Sequence, residues 1–155
     1  MATSASERFT QAAAAHGLAL DVREFPQGTR TAADAAAAIG CEVAQIVKSL
    51  VFMADDEAVL VLTSGANRVD EDKVAAALGA EEFRKADADE VRDATGYAIG
   101  GTPPFGHARP LRVVCDRDLT GHEEIWAAAG TPSTVFPLVP TTLLTITDAT
   151  VIDVC

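Results

Sequence analysis

Aromatic side chains are scarce in this chain, with one Trp, one Tyr and six Phe among 155 residues, so its core must be built mainly from Ala, Val, Leu and Ile. Basic residues are few as well, twelve against 23 acidic, and the resulting net charge of −11 repels a polyanion at long range. That balance argues against extended nucleic-acid binding; any such contact should be short and local, and the plain account of the charge is solubility. The three cysteines, Cys41, Cys115 and Cys155, form no C-x-x-C pair and have no histidine at ligand spacing. Neither a disulfide framework nor a zinc site is indicated, no metal is expected, and structural thiols are the simpler account. No stretch approaches the roughly 18 apolar residues of a membrane span. The start from Met1 to Phe9 lacks a basic region followed by an apolar one, so a cytoplasmic protein that meets no membrane is expected. Neither G-x-x-x-x-G-K-[ST] nor G-x-G-x-x-G occurs, which leaves nucleoside-triphosphate chemistry unsupported. There is no G-x-S-x-G elbow, and His16, His107 and His122 have no evident nucleophile partner.

What is present is a globular composition, 48% hydrophobic and 23% charged, at the length of one ordinary domain. No Pro/Ser-rich linker, repeat or low-complexity tract divides the chain, so residues 1–155 are read as a single domain. Ser6 to Ala15 reads as a helix closed by Gly17, and Leu18 to Phe25 alternates as a half-buried strand would. Pro26-Gln27-Gly28 reads as a turn, and Thr31 opens an alanine-rich helix that stops at Gly40. Ile46 to Met53 and Ala58 to Thr63, separated by a polar connection of hairpin length, predict an antiparallel pair. Asp70 caps a helix through Leu78, and Asp87 or Asp89 opens another that ends near Gly96. Leu111 to Cys115, Val135 to Leu138 and Val151 to Val154 are further strand candidates, with a short helix from Pro140. Glu123 to Ala129 suits helix or strand, and strand is preferred. Helices and strands mix without regular βαβ alternation, which gives α+β with a mixed or antiparallel sheet.

Lys48 stands alone in Ile46-Val47-Lys48-Ser49-Leu50-Val51-Phe52-Met53, where alternation puts it on one face with Ile46, Leu50 and Phe52. An unpaired ammonium is costly to bury, so Lys48 either points into a wet, polar cavity at the edge of a core or snorkels to solvent from a strand end. The second informative stretch runs from Gly96 to His107. Gly100, Gly101 and Gly106 permit unusual backbone conformations and close approach of a ligand, while Pro103-Pro104 holds the middle stiff. Its amides could be aimed at a carbonyl or phosphate oxygen, or the segment could be a plain connection. His107, at its end, could bond a ligand or face solvent. Arg68, between a strand and a helix N-terminus, suits phosphate contact, or pairs with Asp70 or Glu71 on the surface.

The helix start at Thr31-Ala32-Ala33-Asp34, the strand Gln45 to Phe52 with its lysine, Val59-Leu60-Val61-Leu62, Arg68-Val69-Asp70, the loop from Thr95 to His107 and Ala128-Ala129-Gly130-Thr131 follow one another as in the YbaK/EbsC family. The chain thus resembles, from about Ala19 to Val154, the trans-editing aminoacyl-tRNA deacylases related to the editing domain of bacterial prolyl-tRNA synthetases. The resemblance implies a curved mixed or antiparallel central sheet flanked by helices. It also implies a cofactor-free hydrolase that cleaves the ester of a mischarged aminoacyl-tRNA, typically tRNA for proline. Lys48 matches the essential lysine; Gly100 and Gly101, with Pro103, Gly106 and His107, match the pocket loop; Gly130 and Thr131 match a pocket turn; Arg68 would add a substrate contact. Ser49, where Thr or Asn is usual, and Thr102-Pro103-Pro104, where Ser-Pro is common, bear on amino-acid specificity. The implied partners are the aminoacyl-tRNA acceptor end, held by a weak local contact, with a prolyl-tRNA synthetase as a second candidate; DNA is not expected. A non-catalytic module that binds an aminoacyl or nucleotide ligand in the same pocket is the alternative, and hydrolysis of a different small ester is a third.

Overall fold

The computed structural model describes residues 4–25 and 31–155, and the turn expected at Pro26-Gln27-Gly28 lies outside them. The chain runs through α1 (Ala5–Ala15), β1 (Arg23–Glu24), α2 (Ala32–Ile39), β2 (Val47–Ala54), β3 (Glu57–Ser64), α3 (Glu71–Leu78), β4 (Phe83–Lys85), α4 (Ala88–Thr95), β5 (Arg112–Asp116), β6 (Ile125–Ala128), β7 (Thr134–Leu138), α5 (Pro140–Thr147) and β8 (Thr150–Ile152). Local chemistry sets the helix limits. The side chains of Ser4, Thr31, Asp70 and Asp87 each accept from a first-turn backbone N–H of α1, α2, α3 and α4, and Gly40, Gly79 and Gly96 close the last three in the left-handed conformation.

The hairpin β2–β3 is antiparallel as expected, turning through Asp55 and Asp56, both at positive φ. Among the described residues it forms the middle of a five-stranded mixed sheet in the order β4-β2-β3-β5-β8, and β1-β7-β6 make a separate antiparallel sheet. β3 is apolar on both faces because both are covered. Leu60 and Leu62 join the main core with Phe9, Phe105 and Phe136, while Val59 and Val61 pack with Val74 of α3, Val114 and Val154. Among the described residues a single isolated bridge, between Ile46 and Trp126, links the two sheets.

One expectation about strands is corrected, and one strand was not foreseen. Leu18 to Phe25 does alternate, with Leu18, Leu20 and Val22 half-buried against the main core, but only Arg23 and Glu24 find a strand partner, in β7. β4 was not legible at all: it is three residues long and exists through pairing with Phe52–Ala54 of β2.

This topology leaves part of β2 without an outer neighbour. Among the described residues β4 pairs with it only from Phe52 onward, the Ala86 amide donates to the Val51 carbonyl, and the bridge to β6 is at Ile46, just before its start. Because the Ile46 carbonyl accepts from Gly65 on the β3 side and the Val51 carbonyl faces the other way, alternation directs the main-chain polar groups of Ser49 toward the open edge.

The α4 cap provides a pH test. Both guanidinium nitrogens of Arg84 lie 2.7 Å from the Glu90 carboxylate, which also accepts from the Asp87 amide. These bonds, Arg84 first, hold the Glu90 carboxyl down to about 2 from an ordinary 4.5. A depressed native carboxyl stabilises the fold above the unfolded value and loses that contribution as pH falls toward the native one. Thermal midpoints measured between pH 4.5 and about 2 should therefore drop less steeply for Glu90→Gln than for the parent chain; parallel curves would show that the pair does not stabilise the fold.

Candidate active site

The open edge of β2 faces a cavity of about 520 Å³. Residues 47–51 form one wall, residues 126–128 with Thr134 and Val135 face them, Ile99, Gly100 and Thr102 close a third side, and Thr31, Ala32 and Ala33 enter from the start of α2. The lining is mainly apolar with a few polar groups, at a size that accepts a small organic ligand. Ile99 at the rim is 50% exposed, a large apolar side chain left in water beside the opening.

Lys48 lies on this wall, half-buried. Its stem shares a sheet face with Leu50 and Phe52, and its Nζ donates to the Asn67 carbonyl at 2.6 Å, just past the end of β3. Burial, and next the nearby Arg68 guanidinium, push the ammonium below its ordinary pKa; Asp116 opposes this and Lys85 adds to it. Arg68 makes no ion pair among the described residues, so the surface pairing with Asp70 or Glu71 is not formed.

The Gly/Pro loop is held from several sides. Gly100 is exposed on the cavity wall at φ +86, whereas residues 101–105 are buried. The Gly101 N–H donates to Ala98, closing a turn, and a Cβ at Gly101 would sit 2.8 Å from the Thr131 Cα, which shows how closely the two loops touch. The amides of Gly100 and Thr102 have no partner among the described residues. His107 Nε2 lies 2.7 Å from the Pro103 carbonyl, and burial pushes the imidazole below its ordinary pKa, so it ties the loop to itself rather than facing solvent.

Gly106 and Gly130 face α1 instead of the cavity. An added Cβ would lie 2.8 Å from the Ala12 Cβ at Gly106 and 2.6 Å from the Ala5 carbonyl oxygen at Gly130, both at positive φ. Phe9 of α1 also packs on Phe105, with ring centroids 4.9 Å apart, and Arg8 lies over Tyr97 while donating to the Gly96 carbonyl. One helix therefore backs both loops. Thr131 bonds Thr134 at 2.6 Å between hydroxyls, placing the cavity-lining Thr134 and Pro132. Lys48 and Gly100 thus line one cavity, with Gly101, Pro103, Gly106, His107, Gly130 and Thr131 outside its lining and Arg68 close enough to perturb the Lys48 ammonium.

Sequence inspection passed over Lys85, which lines the cavity as a second amine, because it sits in an acidic stretch with no motif around it. Two other cations, Lys73 and Arg109, are engaged away from the cavity, with the Cys155 carbonyl and with Asp93. The hydroxyls of Ser49 and Thr63 are buried without a partner among the described residues; Thr63 pairs directly across from Lys48, and Ser49 lines the cavity.

The chain is similar to several known proteins over much of its length. The family model of the aminoacyl-tRNA editing domain matches residues 26–146. YwhH of Bacillus subtilis (strain 168), an uncharacterised protein, is 33% identical over 137 residues, 87% of each chain. The proline-tRNA ligase of Lactobacillus gasseri is 40% identical over 77 residues, half of this chain and 14% of the ligase, so the chain corresponds to only a small part of that enzyme. Among solved structures, a candidate trans-editing enzyme for prolyl tRNA synthetase superposes with a TM-score of 0.92 at 46% identity, over 99% of this chain and 98% of that one. The hypothetical protein APE2540 superposes with a TM-score of 0.87 at 30% identity, over 96% and 99%. Family model, curated relative and superposed structures converge on one conclusion: the chain belongs to the aminoacyl-tRNA editing domain family.

Proposed function

We propose that this protein is a trans-editing hydrolase that cleaves the ester joining a small, incorrect amino acid to the terminal ribose of a tRNA, with tRNA for proline as the first candidate. The observation that carries the proposal is a half-buried ammonium, Lys48, on the wall of a small, mostly apolar cavity shared with Gly100. An aminoacyl ester is already activated, so hydrolysis needs positioning and charge stabilisation more than a strong protein nucleophile. Lys48 holds the terminal phosphate or the acyl carbonyl, and the uncommitted amides of Gly100 and Thr102 stand ready for the oxyanion that develops on that carbonyl. The attacker is water or the neighbouring ribose hydroxyl. Arg68 and Lys85, the positive neighbours of Lys48, supply the local attraction for the acceptor end that a surface of net charge −11 otherwise denies. So short a contact makes a prolyl-tRNA synthetase a natural delivery partner.

Cavity size selects the acyl group: bulky side chains are excluded sterically, whereas near-isosteres differ by only about 1–3 kcal/mol. The test is deacylation of a panel of tRNAs charged with alanine, serine, threonine, cysteine and proline, run with and without prolyl-tRNA synthetase. Turnover of at least one small mischarged species with proline spared is the expected result. Binding of those species without turnover would replace the proposal by a non-catalytic module, and cleavage of free aminoacyl esters alone would point to another small-ester substrate.

A further inference from the structure

We propose that Asn67 and Asp116 form a positioning clamp that fixes the Lys48 ammonium at the cavity wall, so that both residues act on the ester only through Lys48. The proposal rests on Lys48 being the working cation of the site assigned above. A lysine on a flexible four-carbon stem carries three donors and adopts many orientations unless something selects one. Here the selecting group is a main-chain carbonyl, that of Asn67, 2.6 Å from Nζ. That carbonyl is itself immobilised by the Asn67 side chain, whose Nδ2 donates to Asp116 Oδ2 at 2.9 Å and to Asp118 Oδ2 at 2.8 Å. The Asn67 amide donates to the Ser64 carbonyl, Ser64 Oγ donates to the Ala44 carbonyl, and the Ser64 amide returns to Asp116 Oδ2 at 3.0 Å.

Asp116 is the fixed point. It ends β5, is 2% exposed, and accepts additionally from the Asp118 amide through Oδ1. A carboxylate this deeply buried is held by donors rather than by an ion pair, since no salt bridge of Asp116 occurs among the described residues. Its charge is nevertheless felt by Lys48. The charged groups acting on that ammonium are Arg68, beside the same turn, Lys85 on β4, and Asp116, which alone among them favours the protonated form. Across the turn, Asp116 thus opposes the lowering that burial and Arg68 impose on the Lys48 ammonium.

The experiment reads two quantities in Asn67→Ala and Asp116→Asn. The first is kcat and KM on a mischarged tRNA that the parent protein clears. The second, independent of turnover, is the pH dependence of Lys48 acetylation by acetic anhydride, followed by peptide mass spectrometry with Lys73 and Lys85 as internal references. Asn67→Ala is expected to lower kcat by about 10- to 100-fold with KM little changed, as misplacement of a reacting group does. Asp116→Asn removes the one negative neighbour, so Lys48 loses its proton at lower pH, and both its labelling curve and the alkaline limb of kcat/KM move in that direction. If Asp116→Asn does not fold, Asp118→Asn, at an exposed position that also grips Asn67, should alter Lys48 labelling and kcat as Asn67→Ala does, by less. Lys48 labelling that matches the parent in Asn67→Ala and in the folded aspartate variant would overturn the clamp. A parent protein that deacylates nothing in the panel would instead refute the enzyme assignment, and the labelling curves would still decide the clamp.

Discussion

Replacing Lys48 by alanine should reduce deacylation by about 100- to 1000-fold or more while leaving the fold intact. The expected loss is large because the substitution removes a charge that develops its full effect only where water is partly excluded, on a cavity wall between residues 47 and 51. The fold should survive because Lys48 is half-buried and belongs to neither face's fully buried core, which is carried along β2 by Val47, Val51 and Phe52. Circular dichroism and a thermal midpoint near that of the parent, together with turnover at the level of spontaneous hydrolysis, are the outcome to look for. A well-folded Lys48→Ala that clears a proven substrate at nearly the parent rate would remove the lysine from the mechanism. The pH profile gives a second reading of the same residue. If the protonated amine is required, kcat/KM corrected for spontaneous hydrolysis must fall as pH rises through the Lys48 pKa, which burial and Arg68 hold below that of an ordinary lysine.

The largest stability effect is expected at Gly130. Its φ of +105° lies where a side chain is strained, and an added Cβ would stand 2.6 Å from the Ala5 carbonyl oxygen, 2.9 Å from the Ala5 carbonyl carbon and 3.2 Å from the Ser6 amide. All three are backbone atoms at the start of α1, so no side chain can swing aside. Gly130→Ala combines backbone strain with overpacking and should destabilise the protein by about 2–5 kcal/mol. For a chain of this size that lowers the thermal midpoint by about 5–15 °C. An unchanged midpoint would mean that α1 does not press on the turn after β6.

How much of this was legible depended on whether the signal was local. Thr31, Asp70 and the pair Asp87 and Asp89, of which Asp87 is the cap, announced helix starts, and Gly40, Gly79 and Gly96 helix ends, because capping is settled within one turn of chain. The β2–β3 hairpin was legible for the same reason, and β6 followed from Ile125-Trp126-Ala127-Ala128 once strand was preferred over helix. β4 and the shortness of β1 were not, since each is fixed by a partner far along the chain. The site divided in the same way. Lys48 declared itself as a lone charge in an apolar run, and Gly100 as part of an unusual glycine-rich loop. Asn67 and Lys85 gave no such sign: one matters through bonds to β5 and its following turn, the other through a strand pairing that sequence did not reveal. Gly106 and Gly130 were conspicuous as glycines, yet what the structure puts against them is Ala12 and Ala5 of α1, a contact no spacing rule announces.

The first helix meets the Gly96–His107 loop through Phe9, Arg8 and Ala12, and the turn after β6 through Ala5, yet it contributes nothing to the wall of the cavity. If the acyl group sits in this cavity as proposed, enlarging Ala12 by a methylene, or shortening Phe9, would change how far one of those segments leans inward without altering a wall residue. Amino-acid preference would then be open to adjustment from the rear, and two members of the family with identical wall residues would not have to discriminate between the same amino acids.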